Sequence, residues 1–231
     1  MTEEEIRRNI EEVKKRIEAA ARRAGRSAAE VQLVAVTKTV PPEKIMAAYQ
    51  MGLRDFGENR VQEMVKKRGE LPVDIRWHMI GHLQTNKVKY IIDWVYMIHS
   101  LDRPSLAVEI SKRAKAVGRT VPCLVEVNVA GEESKFGLAP EEVVDFIREV
   151  AQMPGIAVKG LMTVAPYTEN PEEVRPVFRR LREIAAQVEA EQIPGVEMRY
   201  LSMGMSGDFE VAIEEGAHMV RLGTALFGAR Q

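Results

Sequence analysis

Short apolar runs alternate with segments of helical periodicity along almost the whole chain. The first run, VQLVAVTKT at residues 31–39, has the continuous, β-branched character of a strand buried on both faces. Pro41 and Pro42 follow and stop it. Seven later runs share this character, so we predict further strands at residues 54–56, 75–80, 95–99, 121–129, 156–162, 198–201 and 217–222.

Helical segments precede the first strand and separate the others. Residues 2–24 carry Ile6, Ile10 and Val13 at helical spacing, and Thr2 with Glu5 forms a capping box. Gly25 then suits the end of that helix. Further helices are predicted at about residues 42–51, 60–69, 86–92, 104–118, from 140, 170–191 and 207–215, the last capped by Ser206.

Eight strands alternating with helices predict a parallel sheet. Eight such units in about 200 residues, with no linker, fit a single (β/α)₈ TIM barrel over residues 1–231, with the first helix as an addition. An open, doubly wound sheet is the alternative. No G-x-G-x-x-G pattern follows the first strand, which argues against dinucleotide binding in such a sheet.

Composition narrows the possible partners. The net charge of −1 gives no field that would favour nucleic acid or an anionic membrane. No signal peptide opens the chain and no apolar run approaches membrane-spanning length, so we expect a cytoplasmic protein. The one cysteine, Cys123, lies in an apolar strand and is expected to be a buried, structural thiol. No exposed apolar face is evident, which favours a monomer.

Polar residues occur where the strands end, which is where barrel enzymes place their active sites. They are Lys38, Asn59, His78, His82, Ser100, Asn128, Thr163, Ser202 and Arg221. Lys38 is the most informative, because an amine at the rim of a buried strand can act as the nucleophile that a Schiff base needs. A lysine at a strand end can equally extend into solvent, so this stretch alone leaves the choice open.

The last two loops predict an anion site. LSMGMSGD, from Leu201 to Asp208 and including Gly204, leads directly into a helix, and Gly223-Thr224 leaves the last strand. Glycine permits close backbone approach, while hydroxyl and N–H groups suit phosphate oxygens. For Ser206, helix capping and a ligand role remain equally open.

The histidines do not indicate zinc. His78 and His82 are four residues apart, but Gly81 interrupts them and the segment starts in a strand. His99 and His218 lie in apolar strands and are expected to be structural. Lys135 lies on a flexible loop, where it is either a solvated charge or part of a lid.

A strand-end lysine opposite a phosphate site suggests pyridoxal phosphate, with its aldehyde bonded to Lys38 and Arg221 near the pyridine nitrogen. At these residues the chain closely resembles the pyridoxal phosphate homeostasis proteins, which look like the barrel domain of alanine racemase. The shared stretches are LVAVTKT, FGENRVQE, WHMIGHLQTNK, HSLD, VNVAGEESKFG, GLM, LSMGMSGDF and VRLGTALFGAR, ending at Arg230.

The resemblance implies roles for individual residues. It implies a Schiff base on Lys38, phosphate contacts from Ser202, Gly223 and Thr224, and Arg221 facing the pyridine nitrogen. Asn59, His82 and Gly204 complete the expected cofactor site. It further implies a pyridoxal phosphate-binding protein of vitamin B6 homeostasis, without established turnover and with cofactor-dependent apo-enzymes as possible partners.

Two other functions stay open. An amino-acid racemase needs acid–base groups on both faces of the substrate carbon, and Lys38 serves only one. In alanine racemases a second domain supplies the other group, and we expect none here. Arg221 also cannot protonate the ring nitrogen, which weakens the ring as an electron sink. A barrel enzyme acting on a sugar phosphate would keep the phosphate site and use Lys38 differently.

Overall fold

The structure is a computed structural model that describes residues 1–229. Arg230, which ends the last of the shared stretches, lies outside the described residues. Eight strands pair in parallel with their neighbours in chain order and close into a barrel, which confirms the predicted architecture and rules out the open sheet. The strands are β1 (Gln32–Val36), β2 (Asp55–Glu58), β3 (Arg76–Met79), β4 (Met97–Leu101), β5 (Val121–Glu126), β6 (Ile156–Met162), β7 (Tyr200–Ser202) and β8 (Met219–Leu222).

Helices surround the barrel. They are α1 (Glu3–Arg23), α2 (Pro42–Gln50), α3 (Val61–Glu70), α4 (Pro104–Ala116), α5 (Val143–Val150), α6 (Arg175–Ala190), α7 (Phe209–Glu214) and α8 (Thr224–Phe227). The predicted capping box of α1 is present, because Thr2 and Glu5 each accept a backbone hydrogen bond from the other. Gly25 has φ +68, the left-handed conformation that ends such a helix.

Several predicted boundaries differ from the structure. The helix expected at residues 86–92 is a 3₁₀ helix, Thr85–Tyr90. Strand β5 ends at Glu126, three residues early, and the chain beyond it turns so that Asn128 N–H donates to Leu138 O. The prediction that Ser206 caps α7 is wrong: Asp208 holds the N-cap position, and its carboxylate accepts from Met205 N–H.

The barrel interior changes from apolar to polar along its axis. Buried Val34, Met97, Leu124, Met162 and Met219 form a small cluster inside the barrel. Side chains two residues further along a strand point into the same space. There the residues include His99, Glu126 and Arg221. The polar layer therefore lies toward the carboxyl ends of the strands, which we call the mouth.

Candidate functional site

Lys38 and the residues after β8 share one cleft at the mouth. The cleft has a volume of about 520 Å³, and its lining includes Val36, Lys38, Gly223 and Thr224. Lys38 is half-buried. The parallel pairing of β1 with β8 brings these two strand ends together, from Gln32 beside Met219 to Ala35 beside Leu222. The barrel thus places an amine, a glycine and a hydroxyl around one cleft, as the strand ends predicted.

The loops after β7 and β8 are joined through Ser206. Its hydroxyl accepts a hydrogen bond from Ala225 N–H at 3.1 Å, in the first turn of α8. That bond leaves the hydroxyl proton of Ser206 available for an anion. The turn requires Gly204, whose φ is +102 and whose position would place an added Cβ 2.7 Å from Ala212 Cβ. Gly204 also accepts a hydrogen bond from Arg221 N–H through its carbonyl oxygen.

Arg221 is buried, and its guanidinium is fixed by two acceptors. One terminal nitrogen donates to Ser202 Oγ at 2.6 Å and the other to Thr163 O at 2.9 Å. Burial lowers the pKa of Arg221 to about 10, despite the opposing charges of Glu126 and Asp208. Arg221 therefore presents a fixed cation beneath the mouth.

Ser202 ends β7, as predicted, but its side chain lies inside the barrel rather than in the Lys38 cleft. It is fully buried, and its hydroxyl is within 2.9 Å of His99 Nδ1 as well as bonded to Arg221. It is not among the residues that line the Lys38 cleft. The resemblance implied a phosphate contact, but the structure instead gives Ser202 two protein partners inside the barrel.

Four residues form a hydrogen-bonded chain through the barrel, which we call the histidine chain: Asp55, His78, His99 and Ser202. His78 Nε2 is 2.9 Å from Asp55 Oδ1, and His78 Nδ1 is 2.9 Å from His99 Nε2. Arg76 binds both oxygens of Asp55 at the far end. The chain therefore joins Arg221 near the mouth to an ion pair at the opposite end of the barrel.

The ends of the histidine chain determine the direction of its hydrogen bonds. Arginine can only donate, and an ionised aspartate can only accept. Burial alone would raise the pKa of Asp55, but hydrogen bonds from Arg76 and His78 hold it well below its usual range. Burial, with the nearby charges of His78 and Arg221, lowers the pKa of His99 well below 6.5. With both imidazoles neutral, each carries its proton on Nε2, and Ser202 donates to His99 Nδ1.

Asn59 and His82 lie around a second cavity at the mouth, of about 270 Å³, rather than in the Lys38 cleft. Gly81 allows their loops to meet, since an added Cβ there would lie 2.4 Å from Asn59 O. Phe136, from the loop after β5, stacks on the His82 ring at a centroid distance of 3.9 Å. Asn59 Oδ1 and His82 Nδ1 are buried without a hydrogen-bond partner, so both can accept from a ligand or water.

Glu126 also lines this second cavity, and sequence reasoning missed it. It is 8% exposed. Burial, together with Asp102, raises the pKa of Glu126 to about 7, although Arg221 opposes the shift. One signal was available: Glu126 lies two residues beyond Leu124, so its side chain points to the same side of the strand, into the barrel. An acid at the end of an apolar run is, however, typical of a strand end that is exposed to solvent.

The structure also shows the surroundings of three other titratable residues, Cys123, His218 and Lys135. Cys123 is buried, and burial raises the pKa of its thiol to about 12, which confirms a structural role. His218 Nδ1 accepts from Leu201 N–H, so this histidine is structural, as predicted. Lys135 pairs with Glu132 and donates to Ala165 O, which joins two mouth loops.

Two kinds of feature are absent from residues 1–229. No group of three or more His, Cys, Asp or Glu side chains there is arranged to hold a metal ion. None of the helices in that range is both long and apolar enough to cross a bilayer.

Comparison with known proteins places the chain in a family. Residues 4–231 match the alanine racemase N-terminal domain family. The pyridoxal phosphate homeostasis protein of Aquifex aeolicus is 51% identical over 223 residues, which cover 96% of this chain and 97% of that protein. The chain belongs to the pyridoxal phosphate homeostasis protein family.

Solved structures agree with that membership. A protein of Bifidobacterium adolescentis described as unknown has a TM-score of 0.92 and 40% identity, covering 97% of this chain and 95% of its own. PipY of Synechococcus elongatus, solved with PLP bound, has a TM-score of 0.79 and 37% identity, covering 86% and 93% respectively. The family resemblance drawn from the shared stretches is therefore confirmed.

Proposed function

We propose that this protein binds pyridoxal phosphate as a Schiff base on Lys38 and acts in pyridoxal phosphate homeostasis without catalytic turnover. One observation carries the proposal: Lys38, Gly223 and Thr224 line the same cleft. An amine suits the cofactor's aldehyde, and the hydroxyl and backbone groups after β8 suit its phosphate. The structure of the relative PipY with PLP bound supports the choice of ligand.

The phosphate contacts are assigned to Thr224, Gly223 and Ser206, with Ser206 taking the place first given to Ser202. Ser206 is half-buried beside α8 and has a hydroxyl proton to donate, whereas the hydroxyl of Ser202 is used inside the barrel. Gly204 contributes through its backbone conformation, which turns the loop toward α8. Asn59 and His82 border the second cavity and offer acceptors on the side away from β8.

Arg221 favours holding the cofactor over transforming amino acids with it. When bound, pyridoxal phosphate supplies an electrophilic aldehyde and an electron-withdrawing ring. Arg221 is assigned to the ring nitrogen, where a guanidinium donates a hydrogen bond but does not transfer a proton. Lys38 is half-buried, so water reaches the cleft and screens charge that develops there. A racemase is the alternative, since Lys38 could serve as one acid–base group.

Covalent attachment is tested by borohydride reduction of the protein incubated with pyridoxal phosphate, followed by peptide mass mapping. The adduct is expected on Lys38 and is expected to disappear in Lys38→Ala. Lys135 provides the internal comparison, because it lies at the mouth but is paired with Glu132. An adduct found mainly on Lys135 would contradict the assignment.

The phosphate site is tested with Ser206→Ala and Thr224→Ala. Each removes a hydrogen bond to a charged group, so pyridoxal phosphate should bind more weakly by about 1.5–3 kcal/mol. Pyridoxal, which lacks the phosphate, should bind with nearly unchanged affinity. Equal losses for both ligands would show that these hydroxyls do not contact the phosphate.

Turnover and transfer are tested separately. Chiral analysis of amino acids incubated with the loaded protein should show no racemisation at an enzymatic rate, and the loaded protein should reactivate an apo-transaminase. Racemisation that Lys38→Ala abolishes would replace the homeostasis role with the racemase. If the loaded protein does not reactivate the apo-transaminase, the proposed cofactor binding stands and the proposed transfer to apo-enzymes is contradicted. Monomeric state and cytoplasmic location stay predictions, which light scattering and cell fractionation address.

A further inference from the structure

A group of charged residues contacts the turn that follows β1, and none of the roles above uses it. It consists of Glu58, Glu63 and Lys67, which we call the Lys67 cluster. The amine of Lys67 is 2.7 Å from Glu58 Oε1 and 2.6 Å from Glu63 Oε1. Lys67 is 5% exposed and Glu58 is fully buried. Removing charged groups from water costs free energy, and the contacts that the groups make in the folded protein must offset that cost. We therefore ask which parts of the chain this cluster contacts.

The Lys67 cluster hydrogen-bonds to the backbone on both sides of Lys38. The amine of Lys67 donates to Thr37 O at 2.5 Å, and Thr37 O belongs to the peptide group that precedes Lys38. On the other side, Glu63 Oε1 accepts from Thr39 N–H at 2.7 Å, in the peptide group that follows Lys38. The two peptide groups that flank Lys38 are therefore each hydrogen-bonded to one member of the same cluster, the first to Lys67 and the second to Glu63.

The turn held in this way is strained. Thr39 has φ +62, a left-handed conformation that is unfavourable for a β-branched residue. The turn closes tightly, because Val40 N–H donates to Thr37 O. Thr37 is further held through its hydroxyl, 2.5 Å from Glu58 Oε1. A relaxed turn would leave the direction of the Lys38 side chain unrestrained.

We infer that the Lys67 cluster is a positioning device for Lys38, which holds the amine in line with the aldehyde of the bound cofactor. The inference rests on the proposed function. The residues of the Lys67 cluster line neither the Lys38 cleft nor the second cavity at the mouth. Their effect on the ligand therefore passes through the backbone of Thr37, Lys38 and Thr39.

Two ligands separate positioning from general damage. Pyridoxal 5′-phosphate reacts with the Lys38 amine through its aldehyde. Pyridoxine 5′-phosphate has the same ring and phosphate but carries an alcohol there, so it fills the site without forming the bond. A displaced Lys38 weakens only the first ligand, whereas a distorted barrel weakens both. The measured quantity is the ratio of the two dissociation constants.

The first variants change Glu63, whose side chain is 23% exposed and can be altered without emptying the core. Glu63→Ala removes the acceptor for Thr39 N–H and should weaken pyridoxal phosphate binding roughly tenfold, the equivalent of one lost hydrogen bond. Pyridoxine phosphate binding should change less than about twofold, well under one hydrogen bond. Glu63→Gln keeps an amide oxygen as acceptor and should restore most of the lost affinity. Gln62→Ala, on the exposed side of α3, is the matched control.

The second variant is the double substitution Glu58→Gln with Lys67→Met, which removes one charge of each sign and leaves Glu63, with its side chain 23% exposed to water, as the only ion of the cluster. Circular dichroism confirms its fold before binding is measured. The rate of Schiff base formation, followed by stopped-flow absorbance, should fall in this variant and in Glu63→Ala but not in Gln62→Ala.

The outcomes separate the two claims. If the borohydride adduct is absent from Lys38 in the wild type, the proposed function fails. If the adduct is on Lys38 and the ratio of dissociation constants stays constant in all variants, the positioning role alone is overturned. A parallel loss for both ligands also overturns it and leaves the cluster with stability only. A selective loss that Glu63→Gln restores supports it.

Discussion

The Lys67 cluster and the histidine chain both bury charge beneath the mouth, but they compensate it differently. In the Lys67 cluster one cation touches two carboxylates directly. In the histidine chain the cation Arg221 and the anion Asp55 are separated by two imidazoles and a hydroxyl. The first assembly is held by ion pairing and the second by a succession of directed hydrogen bonds.

The difference assigns each assembly to a different task. Removing one member of a contact ion pair leaves an uncompensated buried charge, so the Lys67 cluster behaves as one rigid unit. It holds backbone, on both sides of Lys38. The histidine chain transmits orientation instead, because each bond fixes the tautomer of the next ring. It holds a side chain, the guanidinium of Arg221.

Glu126 shows what happens to a buried acid with neither kind of partner. Asp55, hydrogen-bonded by Arg76 and His78, has its pKa held well below its usual range. Glu126 lies in the same barrel with only the distant charges of Arg221 and Asp102, and burial raises its pKa to about 7. Contact with donors therefore separates the pKa of Asp55 from that of Glu126, although burial still raises the pKa of Glu58 beside Lys67.

The largest effect is expected from Lys67→Met. It leaves Glu58 buried with no cation, so the free energy of unfolding should fall by about 3–5 kcal/mol. Urea denaturation at pH 7 measures this. Lys66→Met, at the exposed neighbouring position, should change stability by less than about 0.5 kcal/mol. If the two variants lose the same stability, contact pairing is not what holds the cluster.

A smaller effect is expected from Ser202→Ala, which interrupts the histidine chain. Arg221 loses an acceptor and His99 Nδ1 loses a donor, so the free energy of unfolding should fall by about 2 kcal/mol. Ser100→Ala is the control, because Ser100 is equally buried and its hydroxyl has no partner. That variant should be neutral or slightly stabilising. A loss as large as that of Ser202→Ala would mean that burial of a serine, and not the chain, sets the cost.

Glu126→Gln should produce a pH-dependent change of up to about 3 kcal/mol, since one pKa unit corresponds to about 1.4 kcal/mol. Folded Glu126 keeps its proton up to about pH 7, whereas the unfolded chain releases it near 4.5. The folded state binds more protons between these values, so wild-type stability falls as the pH rises from about 4.5 to 7. The variant should match wild type at pH 4 and exceed it at pH 8. Denaturation at both pH values measures this, and a uniform offset would contradict the raised pKa.

The last prediction is that the imidazole ¹⁵N chemical shifts of His99 do not change with pH. Its lowered pKa keeps the ring neutral, with the proton on Nε2, so its shifts should stay constant from pH 8 to well below 6.5. In Asp55→Asn the end of the chain is no longer an anion that can only accept, and the tautomer of His78 should become mixed. Titration of His99 near 6.5 in the wild type would show that the chain does not exclude the proton.

The predicted barrel came from signals that lie within single elements. Strand β1, the capping box of α1 and the strand-end position of Lys38 are all readable from periodicity and adjacent residues. The rule that parallel strands end at one face then brought Lys38, Gly223 and Thr224 together correctly. The family stretches supplied the cofactor, which strand ends alone only suggested.

The sequence by itself determined the barrel and the parallel direction of its strands, because these depend on a local pattern that is repeated eight times. It also determined the lysine at the mouth, because Lys38 directly follows the first strand. Only the tertiary structure decided that Ser202 belongs to the barrel interior and Ser206 to the loop beside α8, although the two serines stand in one stretch. It also paired His99 with Ser202, 103 residues apart, and Lys67 with Thr37, 30 apart. Such pairings depend on the register and depth of side chains from different strands, and no periodicity within one strand carries that information.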